Sequence, residues 1–275
     1  MNLQRDDVQK SAQFAFDTAQ TTCKGCAWYH GTWQYLRLFG IVASSLNERE
    51  FYLNAFESVC QNKKSIRVLI SGSSDYAMLQ LLHEFSVQAD VRLHVSVLDI
   101  CKTPLLLNEW YAQRENLDIE TFCEDIIRFE PLNTFDLICT HSFFGNLERT
   151  LHTSLIKRWY ALLAQGGHVV TVNRIRENCY TQQSFNAEQR KKFQETILAQ
   201  THRLKVKNDA FIDAIHEYTR RYVSHPIASE KEFCTLFTEN GFRIKQFHLT
   251  GKNSMECAPS TQGEKRNAYI IASKI

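Results

Sequence analysis

Apolar positions recur every three or four residues through the first part of the chain and then give way to short unbroken runs. Trp33, Leu36, Arg37, Gly40 and Ile41 stand at i, i+3, i+4, i+7 and i+8, the spacing of one helix face. Phe51, Leu53, Phe56 and Val59 predict a second helix over 48–60. At 66–70 a β-branched run appears and ends in Ser71-Gly72-Ser73-Ser74, a strand followed by a turn, with a helix from about 76 to 85. Strands are predicted at 91–98, 119–123, 135–140 and 168–172. Helices are predicted at 104–116, where Pro104 sits in the first turn, and at 148–164, stopped by Gly166-Gly167.

Strands alternating with helices imply right-handed βαβ units and an α/β fold with a doubly wound, mostly parallel sheet. The stretch 176–224 reads as helical, charged and strand-free. One more helix follows at 230–239, closed by Gly241. Runs at 242–249 and 268–273 then form a terminal antiparallel hairpin around a polar loop with Gly251 and Pro259. The expected organisation is an N-terminal helical cap (1–60) and a Rossmann-like domain (61–275) carrying a helical insertion or lid at 176–228.

In an open α/β sheet, ligands bind beyond the carboxyl ends of the strands, so those ends hold the candidate chemistry. After the first strand, Gly72, Ser73, Ser74 and Asp75 are small or polar residues that let a backbone approach a ligand closely. The second strand ends in Asp99, followed by Ile100; a carboxylate there can accept hydrogen bonds from both hydroxyls of a ribose. Asp125 and Ile126 follow the third. This pair suits an adenine, with the carboxylate accepting from the exocyclic amine and the isoleucine packing on the ring. The fourth strand ends in Thr140-His141-Ser142-Phe143-Phe144.

The order VLISGSSDY, VSVLDI, FCEDII, FDLICTHSFFGNL, LLAQGGHVVTV resembles the class I S-adenosylmethionine-dependent methyltransferases over residues 66–172. The resemblance implies S-adenosyl-L-methionine as cofactor, with Gly72 marking its loop, Asp99 on the ribose and Asp125 and Ile126 on the adenine. At the places of the family's usual acidic residue and alternate glycines stand Ile70, Gly72, Ser74 and Tyr76, so only one glycine is kept and Asp75 is left as a substitute partner for the methionine amine. Amino-terminal helices of this family lie over the cofactor mouth. Tyr29, His30 and Trp33 are therefore expected at the acceptor side and Arg37 at the methionine carboxylate. His141 is expected either to act as a base or only to hydrogen-bond and orient the acceptor, with Tyr29 and His30 as further catalytic candidates and Trp33, Phe144 and Tyr222 lining the substrate. A histidine base predicts activity falling below a pKa near 6 to 7. The expected activity is methyl transfer to a small-molecule N-, O- or C-nucleophile.

Three rivals stand beside it. A nicotinamide-dependent enzyme needs G-x-G-x-x-G after the first strand, which is absent. An aminopropyl-transfer variant wants carboxylates where His141 stands. The third is a non-catalytic scaffold that only binds the cofactor, which the degenerate loop favours; a protein acceptor for the same transfer also stays open.

Composition narrows the partners. A net charge of +2 without a block of like charges gives no footprint for nucleic acid. No apolar run approaches the roughly 18 residues of a membrane span, and a secretory h-region is lacking near the start. The nine cysteines, an odd number spread over a long chain, read as reduced thiols in a cytoplasm. Cys23, Cys26 and His30 look like part of a zinc site, but no second pair follows at ligand spacing, so no metal is expected and Cys101 reads as a small apolar residue. Oligomeric state is not legible.

Overall fold

The computed structural model describes residues 5–61, 63–204, 209–250 and 265–275. Two helices, α1 (Arg5–Thr22) and α2 (Ala27–Leu38), precede α3 (Arg49–Cys60) and the first strand, β1 (Ser65–Ser71). The chain then alternates through α4 (Ala77–Ala89), β2 (Arg92–Asp99), α5 (Lys102–Glu115), β3 (Ile119–Cys123), β4 (Phe135–His141), α6 (His152–Leu162) and β5 (Leu163–Arg176). Residues Asp90 (φ 50°) and Asn116 (φ 55°) end α4 and α5 in the left-handed conformation, which short polar side chains tolerate better than most. After β5 come a two-residue strand β6 (Gln183–Ser184), α7 (Ala187–Leu204), α8 (Asp209–Arg221), β7 (Val223–Ser224), α9 (Glu230–Thr238), β8 (Phe242–Leu249) and β9 (Lys265–Lys274).

The seven-stranded sheet has the order β3-β2-β1-β4-β5-β9-β8. The first five strands in sequence run parallel, and β9 pairs antiparallel with both β5 and β8. Strand order reverses between β1 and β4, which opens a crevice at their carboxyl ends. One sheet face is covered by α3, α4 and α5 through Tyr52, Phe56, Leu81, Leu82 and Tyr111. The other is covered by α6 and α9 through Trp159, Phe233 and Phe237. A third apolar cluster lies between the N-terminal helices and the insertion, where Phe16, Tyr35 and Phe39 meet Phe193 and Phe211.

The structure corrects several expectations. Helix α3, expected with the cap, buries Tyr52 and Phe56 in the sheet core instead. Helix α6 stops at Leu162 and β5 begins at once; Gly166 (φ 74°) and a register shift between Phe135 and Leu137 bend the strand, so the glycines mark a bulge rather than a helix stop. The insertion is not strand-free, because β6 and β7 pair antiparallel and tie its two ends together. Gly251 and Pro259 lie outside the described residues. No described helix is long and apolar enough to cross a membrane.

Candidate active site

Above the β1–β4 reversal lies a cleft of about 420 Å³, lined by Gly72, Ser73, Ser74, Asp99, Ile100, Asp125, Ile126, His141 and Phe143 from the sheet side and by Tyr29, His30 and Tyr222 from the helices above. That volume falls in the range of small-molecule sites, about 300–1,000 Å³.

The floor is set by backbone geometry. Gly72 adopts φ 76°, donates its N–H to Leu98 O at 2.9 Å, and lies so close to the Phe143 ring that any Cβ would overlap it. Ser142, at φ 52°, turns the chain after β4 and brings Phe143 over the loop. Asp99 is fixed by two backbone donors, Ser73 N–H to Oδ2 at 3.0 Å and Cys101 N–H to Oδ1 at 2.8 Å. A carboxylate has about four acceptor positions, so two remain for a ligand's hydroxyls. Burial raises the Asp99 pKa, opposed by the His30 charge and by these same donors. Asp125 accepts from Ile127 N–H at 2.9 Å and shapes the turn that presents the buried Ile126 to the cleft.

His141 is held by a residue that sequence patterning did not single out. Tyr52, fully buried on α3, donates its hydroxyl proton to Thr140 O at 2.8 Å and accepts from Val172 N–H at 3.2 Å. Its oxygen also lies 3.1 Å from His141 Nδ1. With the single hydroxyl proton committed to Thr140, that contact requires Nδ1–H to donate to Tyr52, so Nε2 carries the imidazole lone pair. Burial, with the Arg174 charge adding, pushes the His141 pKa down to about 3. The expected titration near 6 to 7 is therefore absent: this imidazole is neutral throughout the physiological range. Thr140 itself is fully buried, its Oγ1 without a hydrogen-bond partner among the described residues, on the wall of a side cavity of about 60 Å³ shared with Trp33, Asp75 and His141.

Helix α2 supplies the roof. Its Tyr29 hydroxyl lies 3.2 Å from Ser74 Oγ, and its ring stacks on Tyr218 at 6.1 Å. Burial first, then the neighbouring Tyr222, raises the Tyr29 pKa and keeps the phenol protonated. Tyr222 stacks on Tyr218 at 5.3 Å and borders both the main cleft and a second cavity of about 110 Å³ with Tyr29, Trp33, Arg174 and Arg176.

Four expected residues are placed differently. Arg37 pairs with Asp75 (3.5 Å, side chains 10% and 9% exposed) and its guanidinium lies over the Tyr76 ring, so it does not reach the main cleft. Asp75 also accepts from Ala77 N–H at 2.7 Å and Trp33 Nε1–H at 3.3 Å, which commits its carboxylate to α2 and to the start of α4 rather than to an amine. Phe144 is fully buried against His152, Trp159 and Phe233; the turn after β4 aims Phe143 at the cleft and sends the next side chain into the core. His30 does line the cleft, but its Nδ1 lies 3.8 Å from Cys23 Sγ, and it belongs to a group with Cys26 and Cys101.

The fold is that of the class I S-adenosylmethionine-dependent methyltransferases. A putative sarcosine dimethylglycine methyltransferase from Galdieria sulphuraria superposes with a TM-score of 0.57 at 11% identity, covering 87% of this chain and 96% of its own. The N-methyltransferase NodS from Bradyrhizobium japonicum, solved with S-adenosyl-L-homocysteine, gives 0.51 at 15% identity over 95% of this chain and 98% of its own. A SAM-dependent methyltransferase from Methanosarcina mazei gives 0.51 at 17% identity over 78% and 94%. By sequence, no protein-family model and no curated protein matches the chain.

Proposed function

We propose that the protein is an S-adenosylmethionine-dependent methyltransferase acting on a small molecule. The observation that carries this reading is the convergence, on one cleft at the strand-order reversal, of the Gly72 loop, the Asp99 carboxylate with two acceptor positions to spare, Ile126, and a neutral His141. The residues fit the cofactor: the Gly72 loop lines the cleft with the small Ser73 and Ser74, Asp99 would hold the ribose, and Asp125 with Ile126 the adenine. When bound, the cofactor supplies an electrophilic methyl group on a sulfonium.

The chain's own contribution is positioning and exclusion of water. With its pKa near 3, His141 is too weak a base to draw a proton from an alcohol in advance; Nε2 instead accepts a hydrogen bond from the acceptor's N–H or O–H and so orients its lone pair. The stacked Tyr29, Tyr218 and Tyr222 present flat apolar faces to an acceptor. Arg174 and Arg176 border the second cavity, so it is a poor receptacle for a cation and favours a neutral or anionic aromatic acceptor. The insertion serves as the lid over this side.

The non-catalytic scaffold has two observations in its favour: Asp75 is engaged by Arg37, and no acidic residue stands at Ile70. Titration calorimetry with S-adenosylhomocysteine, followed by transfer from labelled S-adenosylmethionine to a panel of small phenols, amines and carboxylic acids, separates the two. Binding with turnover supports the enzyme, binding without turnover the scaffold, and absence of binding removes both.

A further inference from the structure

Three cysteines and a histidine converge from two distant parts of the chain. Cys23 follows α1, Cys26 is the residue before α2, His30 is one turn into α2, and Cys101 lies before α5, two residues beyond Asp99. Their ligand atoms all lie within 4.8 Å of one another. Cys101 Sγ is 3.3 Å from Cys23 Sγ and 3.7 Å from Cys26 Sγ, and Cys23 Sγ is 3.8 Å from His30 Nδ1. A tetrahedral ion with metal–sulfur bonds of about 2.3 Å has sulfurs about 3.8 Å apart and sulfur–nitrogen edges slightly shorter, so the three distances match its edges to within about half an ångström.

The local chain is shaped for this. Gly25, at φ 103°, reverses the backbone between Cys23 and Cys26 so that both sulfurs face one way. The N–H of His30 donates to Cys26 O at 3.1 Å, which places the histidine one helical turn beyond the cysteine, on the same side of α2. The sequence C-x2-C-x3-H supplies three ligands. The fourth, Cys101, stands far along the chain, a separation that the β2–α5 turn closes in space.

We propose that Cys23, Cys26, His30 and Cys101 form a structural zinc site that clasps the N-terminal helices to the β2–α5 turn. Soft thiolates with one imidazole in tetrahedral array select zinc among common divalent ions. Four protein ligands leave no open position, so the ion is a cross-link and not a Lewis acid. Its place gives it a consequence for the cleft: the Cys101 N–H donates to Asp99 Oδ1, while Cys26 and His30 are part of the cleft wall. Holding Cys101 therefore holds the carboxylate and the roof in register. The alternative use of the same atoms is a Cys23–Cys101 disulfide, which the test must separate.

The full chain, with any metal-binding tag removed, is reconstituted with zinc under reducing conditions, dialysed and analysed for metal. The expected result is one zinc per chain, lost in Cys101→Ser and retained in His30→Cys, which keeps four ligands. Cobalt in place of zinc is expected to show the intense visible bands of a tetrahedral thiolate site; this reading needs only the wild-type protein and stands even if Cys101→Ser does not fold. Chelation is expected to lower the melting temperature and weaken S-adenosylhomocysteine binding at least several-fold. A wild-type chain without zinc, undiminished zinc in Cys101→Ser, or octahedral cobalt would overturn the proposal. So would a purified, unreduced chain with two thiols fewer than its nine and a Cys23–Cys101 linked peptide. Metal content is read without any nucleoside ligand, so its failure is distinguishable from failure of the methyltransferase reading.

Discussion

Asp99 and Gly72 show how single residues set the cleft. Asp99→Ala removes the acceptor for two backbone N–H groups and for a ligand diol, so S-adenosylhomocysteine affinity is expected to fall by about 2 kcal/mol or more, roughly thirty-fold, in titration calorimetry. An unchanged affinity would remove the ribose assignment. Gly72→Ala forces a Cβ into the Phe143 ring at a positive φ; binding is expected to be lost, and pairing it with Phe143→Ala should recover only the steric part. For His141 the sign of the pH effect is definite. Its folded pKa, about 3, lies below the unfolded value of about 6.5, so the unfolded chain binds the extra proton between them. The stability that the neutral imidazole contributes is full above about pH 6.5 and declines as the pH falls toward 3. Correspondingly, the His141 titration should leave no inflection in the rate profile between pH 5 and 8, and a break near 6.5 that vanishes in His141→Asn would contradict the assigned pKa.

At the level of elements, α2 is the piece that joins cap to cleft. It grips the Gly72 loop through Arg37 and Trp33 on Asp75 and through Tyr29 on Ser74. Breaking a largely buried ion pair from one side leaves the other charge stranded, so Arg37→Ala is expected to cost about 3 kcal/mol in denaturant unfolding. Arg37→Ala combined with Asp75→Asn should recover part of that loss; a fully additive double mutant would mean that the pair is not coupled. Helix α3 contributes differently, since Tyr52 spends its one proton and two acceptor positions on β4, β5 and His141. Tyr52→Phe should therefore destabilise the fold by about 1–3 kcal/mol and also impair turnover by freeing the imidazole, with cofactor affinity little changed. A loss of stability with intact turnover would make Tyr52 structural only.

For the whole molecule, the cleft is assembled from parts that meet only when the N-terminal helices, sheet and insertion pack together. The cluster of Phe16, Tyr35 and Phe39 with Phe193 and Phe211 is where the insertion docks on the cap. Phe211 is fully buried there, so Phe211→Ala is expected to lose about 3–5 kcal/mol, or, if the insertion detaches alone, to give a biphasic unfolding curve. Ligand linkage gives a global check: S-adenosylhomocysteine at a hundred times its Kd should stabilise the protein by about 2.7 kcal/mol, read as a rise of several degrees in Tm.

The alternation of apolar runs and amphipathic stretches determined the α/β class, the terminal hairpin and the strand ends at Gly72, Asp99 and Asp125, because period and turn residues are local properties of the chain. Direction within a turn was not local. Which of Phe143 and Phe144 faces the cleft depends on the positive φ at Ser142, and serine carries no sequence signal for it. The partners of Asp75 and Arg37 were equally hidden, since each had a plausible ligand role until α2 packed across the loop and paired them. Tyr52 was not among the positions that the helical pattern of 48–60 marked; only the approach of α3 to β4 and β5 gave its hydroxyl three partners. Cys23, Cys26 and His30 announced themselves by spacing, but Cys101 did not, because long-range contacts between a helix junction and a strand end leave no periodicity to read. Sequence thus specified where the candidate ligand-binding residues emerge from the sheet, and tertiary packing decided which of them remain available and which are spent on one another.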